Sequence, residues 1–144
     1  IGIAGYPEKH FESPNLAMDM YYLKKRVELG ADYIVTQMFF DNQKYFDFVN
    51  KCREMDINVP IIPGIKPLTT FGQLTSIPKN FYIDLPESLA MEVVKVKDKD
   101  AIKEIGLEWC INQCKELLDF GVPGLHIYTM SNSSNTQKVA RALF

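Results

Sequence analysis

Apolar residues change period along this chain: short, near-continuous runs give way to recurrences at three- and four-residue spacing, and the alternation repeats. Residues 1–6 are apolar and glycine-containing and lead into a polar, proline-marked stretch at 7–14, the signature of a strand followed by a loop. Over residues 15–29, Leu16, Met20, Leu23 and Val27 recur at helical spacing, and Gly30 stands where a helix-ending glycine belongs. Residues 32–40 are β-branched and aromatic with little polar alternation, as expected of a strand covered on both faces. A second helix follows at 43–55 with Phe46, Val49 and Cys52 on one side, and a third strand at 59–65. Residues 69–77 read as a short helix weakened by Gly72, and 86–94 as another, with Pro86 in its first turn and Leu89 and Val93 paired. Asp98 or Asp100 caps a longer helix whose face carries Ile102, Ile105, Cys110, Ile111, Cys114, Leu117 and Leu118, and Gly121 stops it. A strand at 124–130 and a helix at 133–144 complete the pattern.

Strand and helix thus alternate four times, with short connections and no low-complexity linker. Such alternation implies an α/β fold with right-handed crossovers and parallel strands. Two architectures share it: a small open sheet and half of a (β/α)8 barrel. The order of elements leaves both open.

Composition removes several classes of function. A length of 144 residues suits one domain, and 47% hydrophobic with 24% charged residues gives no sign of disorder. Sixteen basic residues against 18 acidic ones leave no surplus for a phosphate backbone, so nucleic acid is not an expected partner. The apolar runs at 59–65 and 124–130 fall far short of the roughly 20 residues that cross a bilayer, so no membrane role is expected. Cys52, Cys110 and Cys114 are odd in number, and the last two share an apolar helix face, which favours reduced core thiols and a cytoplasmic setting. The first residue, Ile1, opens an apolar stretch unlike a signal peptide, as if the chain began within a fold.

In parallel α/β folds ligands gather beyond the carboxyl ends of the strands, which singles out residues 5–12, 37–41, 64–73 and 128–132. The first of these contains Tyr6 and His10, and the following helix adds Asp19, Tyr22 and Arg26 at spacings that share a face. The plainer alternative is a solvated helix face beside an ordinary turn. Gln37 is an amide within an apolar strand: buried, it needs partners, and near the strand end it can offer donor and acceptor to a heterocycle. A satisfied core glutamine is the alternative there. Pro63-Gly64-Ile65-Lys66-Pro67 combines a strand end with rigid turn geometry, and Phe71 and Gln73 lie just beyond it. Trp109 and the cysteines are assigned to packing. His10 and His126 lack any metal-ligand spacing, and no phosphate-binding glycine motif is present, so a flavin or nucleotide, if bound, is not held in the Rossmann manner.

Five strings, in order along the chain, carry a resemblance: Ala-Gly-Tyr-Pro-Glu-Lys-His (4–10), Asp-x-x-x-Leu-Lys-Lys-Arg-Val (19–27), Gly-Ala-Asp-Tyr-Ile-Val-Thr-Gln-Met-Phe-Phe-Asp (30–41), Val-Pro-Ile-Ile-Pro-Gly-Ile (59–65) and Gly-Leu-His-Ile-Tyr-Thr (124–129). Together they resemble the methylenetetrahydrofolate reductases. The resemblance implies the last four units of a (β/α)8 barrel that binds FAD and reduces methylenetetrahydrofolate with NADH or NADPH, within a full-length protein that is a homo-oligomer. It further implies that Tyr6, His10, Ser13, Asp19, Tyr22, Lys25 and Arg26 contact the flavin cofactor, that Gln37 bonds the pterin, and that Gln73 helps hold the folate. The family's acid/base groups belong to the other half of such a barrel, so no catalytic residue and no metal ligand is assigned. Phe11 follows His10 where the family usually has proline, Ile77 stands where some members carry an aromatic, and Asn132 stands where an arginine is common. Two alternatives remain: a non-catalytic half-barrel that self-associates, and a flavin-barrel oxidoreductase acting on another heterocycle.

Overall fold

The computed structural model describes residues 1–130 and 133–144. Four strands, β1 (Gly2–Gly5), β2 (Tyr33–Met38), β3 (Ile61–Ile65) and β4 (His126–Ile127), are interleaved with helices α1 (Leu16–Glu28), α2 (Asn42–Glu54), α3 (Gln73–Phe81), α4 (Glu87–Lys95), α5 (Lys99–Phe120) and α6 (Ser133–Leu143). Local chemistry sets the helix ends. The side chains of Asn15, Asp41 and Asp98 each accept a first-turn N–H, of Met18, Gln43 and both Asp100 and Ala101 respectively. Gly121, at φ 90, closes α5 in the left-handed conformation that costs a side-chain-bearing residue more.

All strands run parallel, in the spatial order β1-β2-β3-β4. That order answers what alternation alone left open. Right-handed crossovers that always step the same way place every helix on one face of the sheet, the arrangement of a barrel wall. Ile3, Ile34 and Ile61 stand in register across β1, β2 and β3 and belong to a core shared with Met20 and Leu23 of α1, Tyr45, Phe48 and Cys52 of α2, Cys110, Cys114 and Leu117 of α5, and Val139 of α6. Their neighbours Val35 and Ile62, paired to each other, lie in neither core and stay half-buried on the opposite, inner face, where Tyr33 is 41% exposed.

A second core sits above the carboxyl ends of the strands, where Met38 and Phe40 meet Leu68, Ile77 of α3, Ile83, Leu89 and Val93 of α4 and Ile102 of α5. The loop after β3 lies so close to α5 that a Cβ on Gly106 would stand 1.9 Å from the Leu68 carbonyl oxygen. Two elements differ from the sequence pattern. α3 starts four residues later than residue 69, because the Gln73 side chain captures the N–H groups of Thr69 (2.7 Å) and Thr70 (3.4 Å) and holds them outside the helix. It then continues through Pro78, its apolar Leu74, Ile77 and Phe81 anchored in the upper core. β4 is far shorter than residues 124–130, an edge strand paired with β3 only through Gly64↔His126 and Ile65↔Ile127.

Candidate functional site

The site is built at the carboxyl rim, beginning with an irregularity in β2. Val35 pairs with Ile62 but Met38 pairs with Gly64, so β2 carries one residue more than β3 over this stretch, opposite Pro63, which has no N–H to give. The bulge re-aims the two residues within it. Thr36 turns its hydroxyl sideways, and Oγ1 accepts the Gly64 N–H at 2.9 Å. The Gln37 carboxamide oxygen accepts the adjacent Met38 N–H at 3.0 Å, which leaves its NH2 as the unengaged part of a half-buried side chain.

Tyr128, just past β4, ties the rim together. Its hydroxyl donates to the Thr36 carbonyl oxygen at 3.0 Å, passing over Gly64, where a Cβ would fall 2.2 Å from that same oxygen and 2.7 Å from the tyrosine ring. Burial, with the Tyr6 phenol nearby, holds the Tyr128 hydroxyl in its protonated form. Lys66, Gln73 and Tyr128 line one cavity of about 250 Å3 with Thr69, Thr129 and Thr136 among others. Tyr6, Gln73 and Tyr128 therefore share one side of the molecule, with Gln37 at the same rim beside Thr36.

The loop between β1 and α1 is organised around Asp19, a buried carboxylate in the first turn of α1. It accepts the His10 N–H at 3.0 Å and the Ser13 hydroxyl at 3.1 Å. Asp19 thus shapes the loop, and its oxygens are engaged there. His10 packs edge-on against Tyr6 with centroids 4.5 Å apart, and its Nδ1 accepts the Glu12 N–H at 3.3 Å. The Lys9 side chain, on a residue held at φ 77, donates to the carbonyls of His10 and Ser13. Phe11, in the position after His10, stacks on Tyr82 at 4.6 Å and extends the aromatic row.

Down α1 the expected contacts divide. Tyr22 is 56% exposed, and Arg26 leans back on it, Nε donating to the Tyr22 carbonyl at 3.4 Å; among the described residues no carboxylate pairs with the guanidinium. Lys25 lies with Tyr21 instead, 5.7 Å above that ring, and its ammonium pairs with Glu28 at 2.9 Å. Gln73 also differs from the reading of a free substrate contact. Its oxygen is taken by the backbone at Thr69 and Thr70 and by the Thr69 hydroxyl at 3.2 Å, so only its NH2 is left to a ligand. Asn132 lies outside the described residues. The pattern missed Thr36, which left no signal, whereas Lys66 and Tyr128 fall within the strand-end stretches it singled out without being given a role.

A larger cavity, about 460 Å3, lies between Phe40, Asn42, Pro86, Trp109, Gln113 and Glu116. Trp109 and Gln113 there donate to the carbonyls of Phe40 and Phe39, each at 3.0 Å, securing the strand end from behind. Cys52, Cys110 and Cys114 are free and buried, and burial pushes the Cys52 thiol up to about 12.

A family model described as methylenetetrahydrofolate reductase matches residues 1–143. The chain belongs to that family. A probable methylenetetrahydrofolate reductase (NADPH) of Caenorhabditis elegans is 37% identical over 99% of this chain and 22% of its own length. The methylenetetrahydrofolate reductase 2 of Saccharomyces cerevisiae is 39% identical over 91% and 22%, and a 5,10-methylenetetrahydrofolate reductase of Buchnera aphidicola is 34% identical over 99% and 49%. The chain therefore spans between a fifth and a half of the methylenetetrahydrofolate reductases it matches. A solved structure, an uncharacterized protein from Clostridium thermocellum that binds two copies of 5-methyl-5,6,7,8-tetrahydrofolic acid, superposes with a TM-score of 0.67 at 19% identity, over 98% of this chain and 51% of that one. That likeness concerns the fold, and it agrees with a half-barrel.

Proposed function

We propose that this chain forms the second half of a flavin-dependent barrel that reduces methylenetetrahydrofolate to methyltetrahydrofolate at the expense of NADH or NADPH. One observation carries the reading: Tyr6, Gln37, Gln73 and Tyr128 gather at one rim, and both glutamines have their oxygens bonded to backbone so that only NH2 donors remain. Donors aimed into a mouth suit a flat heterocycle rich in carbonyl and ring-nitrogen acceptors, such as a pterin.

The residues also fit FAD. Tyr6 and His10 form an aromatic wall, and Arg26, without a carboxylate partner among the described residues, matches phosphate oxygens. Lys25 would reach a phosphate by exchanging its exposed pair with Glu28, an interaction that costs little to give up. When bound, the flavin supplies the two-electron relay between nicotinamide and folate. The chain's part is orientation: Gln37 fixes the edge of the ring through its NH2, while Asp19 holds the loop bearing His10 and Ser13 in place. Holding reacting atoms at about 3–3.5 Å lowers the entropic barrier without new chemistry.

The test is co-expression with the amino-terminal half of a bacterial relative. The complex is expected to be yellow and to oxidise methyltetrahydrofolate with menadione as acceptor. Gln37→Ala should lower kcat/KM for the folate by about tenfold or more while flavin content stays unchanged. A colourless, inactive complex, or a Gln37→Ala variant that loses flavin instead of folate affinity, contradicts the reading.

A further inference from the structure

Asn42 and Gln113 are buried amides whose neighbours use only one end of each. Asn42, the first residue of α2, is 5% exposed, and Gln113, midway along α5, is 6% exposed. Asn42 Nδ2 donates to the Gln113 carbonyl oxygen at 3.0 Å and to Glu116 Oε2 at 2.5 Å, and Gln113 Nε2 donates to the Phe39 carbonyl oxygen at 3.0 Å. Because all three partners are acceptors, the nitrogen end of each carboxamide is fixed. Asn42 Oδ1 and Gln113 Oε1 are thereby left without a hydrogen-bond partner, the two buried side-chain atoms in that state among the described residues. Both side chains line the cavity of about 460 Å3 formed by α2, the start of α4 and α5.

A buried oxygen removed from water is costly until a donor reaches it. The indole donor of the lining, Trp109 Nε1, is already given to the Phe40 carbonyl oxygen, and no Lys, Arg or His lines the cavity. Charge points the same way, since Asp41 and Glu116 are the ionisable groups of the lining. Two helices begin there, and each brings its own acid to the positive end of its dipole, Asp41 as the cap of α2 and Glu87 in the first turn of α4. Phe40, Pro86 and the half-buried Trp109 add apolar and aromatic wall, and the volume lies within the range of roughly 300–1,000 Å3 that takes a whole small ligand. We propose that this cavity binds the guanidinium group of an organic cation with an apolar stem, either a free small molecule or an arginine side chain of a protein partner. Its N–H groups meet Asn42 Oδ1 and Gln113 Oε1, its charge faces Glu116, and its plane lies against Trp109. A guanidinium suits this set better than an ammonium, because its donors spread around a flat edge while its faces stay free to stack. The site is separate from the folate reading and neither depends on the other.

Trp109 is the single tryptophan of the chain, so its fluorescence reports on the cavity. The full chain is titrated at constant ionic strength with butylguanidinium, butylammonium, the uncharged isostere butylurea, and butyrate. Butylguanidinium is expected to change the Trp109 emission saturably and to bind about tenfold or more tightly than butylurea, with butylammonium between them and butyrate without effect. Glu116→Gln, which keeps an acceptor for Asn42 Nδ2 and loses the charge, and Gln113→Leu should each weaken butylguanidinium by about tenfold, whereas Asp119→Asn, an exposed carboxylate of α5 outside the cavity, should bind as wild type does. No saturable change with butylguanidinium overturns the proposal, and so does equal binding of butylurea, preferential binding of butyrate, or an equal loss in Asp119→Asn. An acetylated Gly-Arg-Gly amide that binds about tenfold more tightly than butylguanidinium supports the site and assigns it to a partner's arginine; equal or weaker binding of the peptide supports it as a site for a free small molecule. Should Gln113→Leu fail to fold, Glu116→Gln and the ligand series on wild type still decide.

Discussion

Gly64 shows how one residue without a side chain arranges the rim. The space its Cβ would need is filled by the Thr36 carbonyl at 2.2 Å and the Tyr128 ring at 2.7 Å, two groups that are themselves hydrogen-bonded to each other. Neither neighbour can retreat, since one is backbone and the other is tied to it. Gly64→Ala is therefore expected to destabilise the chain by about 3 kcal/mol, read by urea unfolding. A loss within about 0.5 kcal/mol would mean that the Tyr128–Thr36 contact is not a fixed part of the fold. The sequence marks Gly64 as turn geometry, yet its glycine serves close approach between β2, β3 and the residue after β4. Gln37 and Gln73 were legible as polar groups near strand ends. That their oxygens are bonded to backbone, leaving donors only, depends on a bulge and on a displaced helix start.

Among the elements, Glu8 joins the β1–α1 loop to the connection between α3 and α4, alongside the stack of Phe11 on Tyr82. Glu8 Oε1 accepts the Asp84 N–H at 3.0 Å, with Lys44 placed 3.8 Å from the Asp84 carboxylate. Burial raises the Glu8 pKa above the ordinary 4.5; the Asp84 N–H opposes this, the Asp84 charge adds to it, Lys44 opposes it and Asp41 adds to it. A carboxyl whose folded pKa is raised takes up protons on folding, so its contribution is fully present below the ordinary value and is lost as pH climbs through the folded one. Glu8→Gln keeps an acceptor for the Asp84 N–H and cannot ionise. Urea unfolding between about pH 4 and 7 should show that the variant escapes the decline of wild type above pH 4.5. Parallel pH profiles for the two proteins would rule out Glu8 as its source. Nothing in the spacing of residues foretells this tether, because Glu8 and Asp84 lie 76 positions apart.

At the scale of the whole molecule, the sheet has helices on one side and none of the core on the other, with Val35 and Ile62 half-buried and Tyr33 exposed there, and with β1 and β4 each paired along a single edge. Such a surface is prone to association. The chain alone is expected to self-associate in sedimentation experiments and to bind an apolar dye, both suppressed when the complementary half is supplied; a dye-free monomer would show that the inner face is not available. The α/β class, the helix caps at Asn15 and Asp98, the stop at Gly121 and the polar groups of the rim are determined by the sequence itself, since local periodicity and turn chemistry act within a few residues. Strand order, the bulge at Thr36 and Gln37, and the placing of Lys66 beside Gln73 and Tyr128 are decided only by tertiary structure. These depend on which distant segments share an edge or a cavity, and contacts between residues as far apart as Thr36 and Tyr128 leave no mark in the spacing of either.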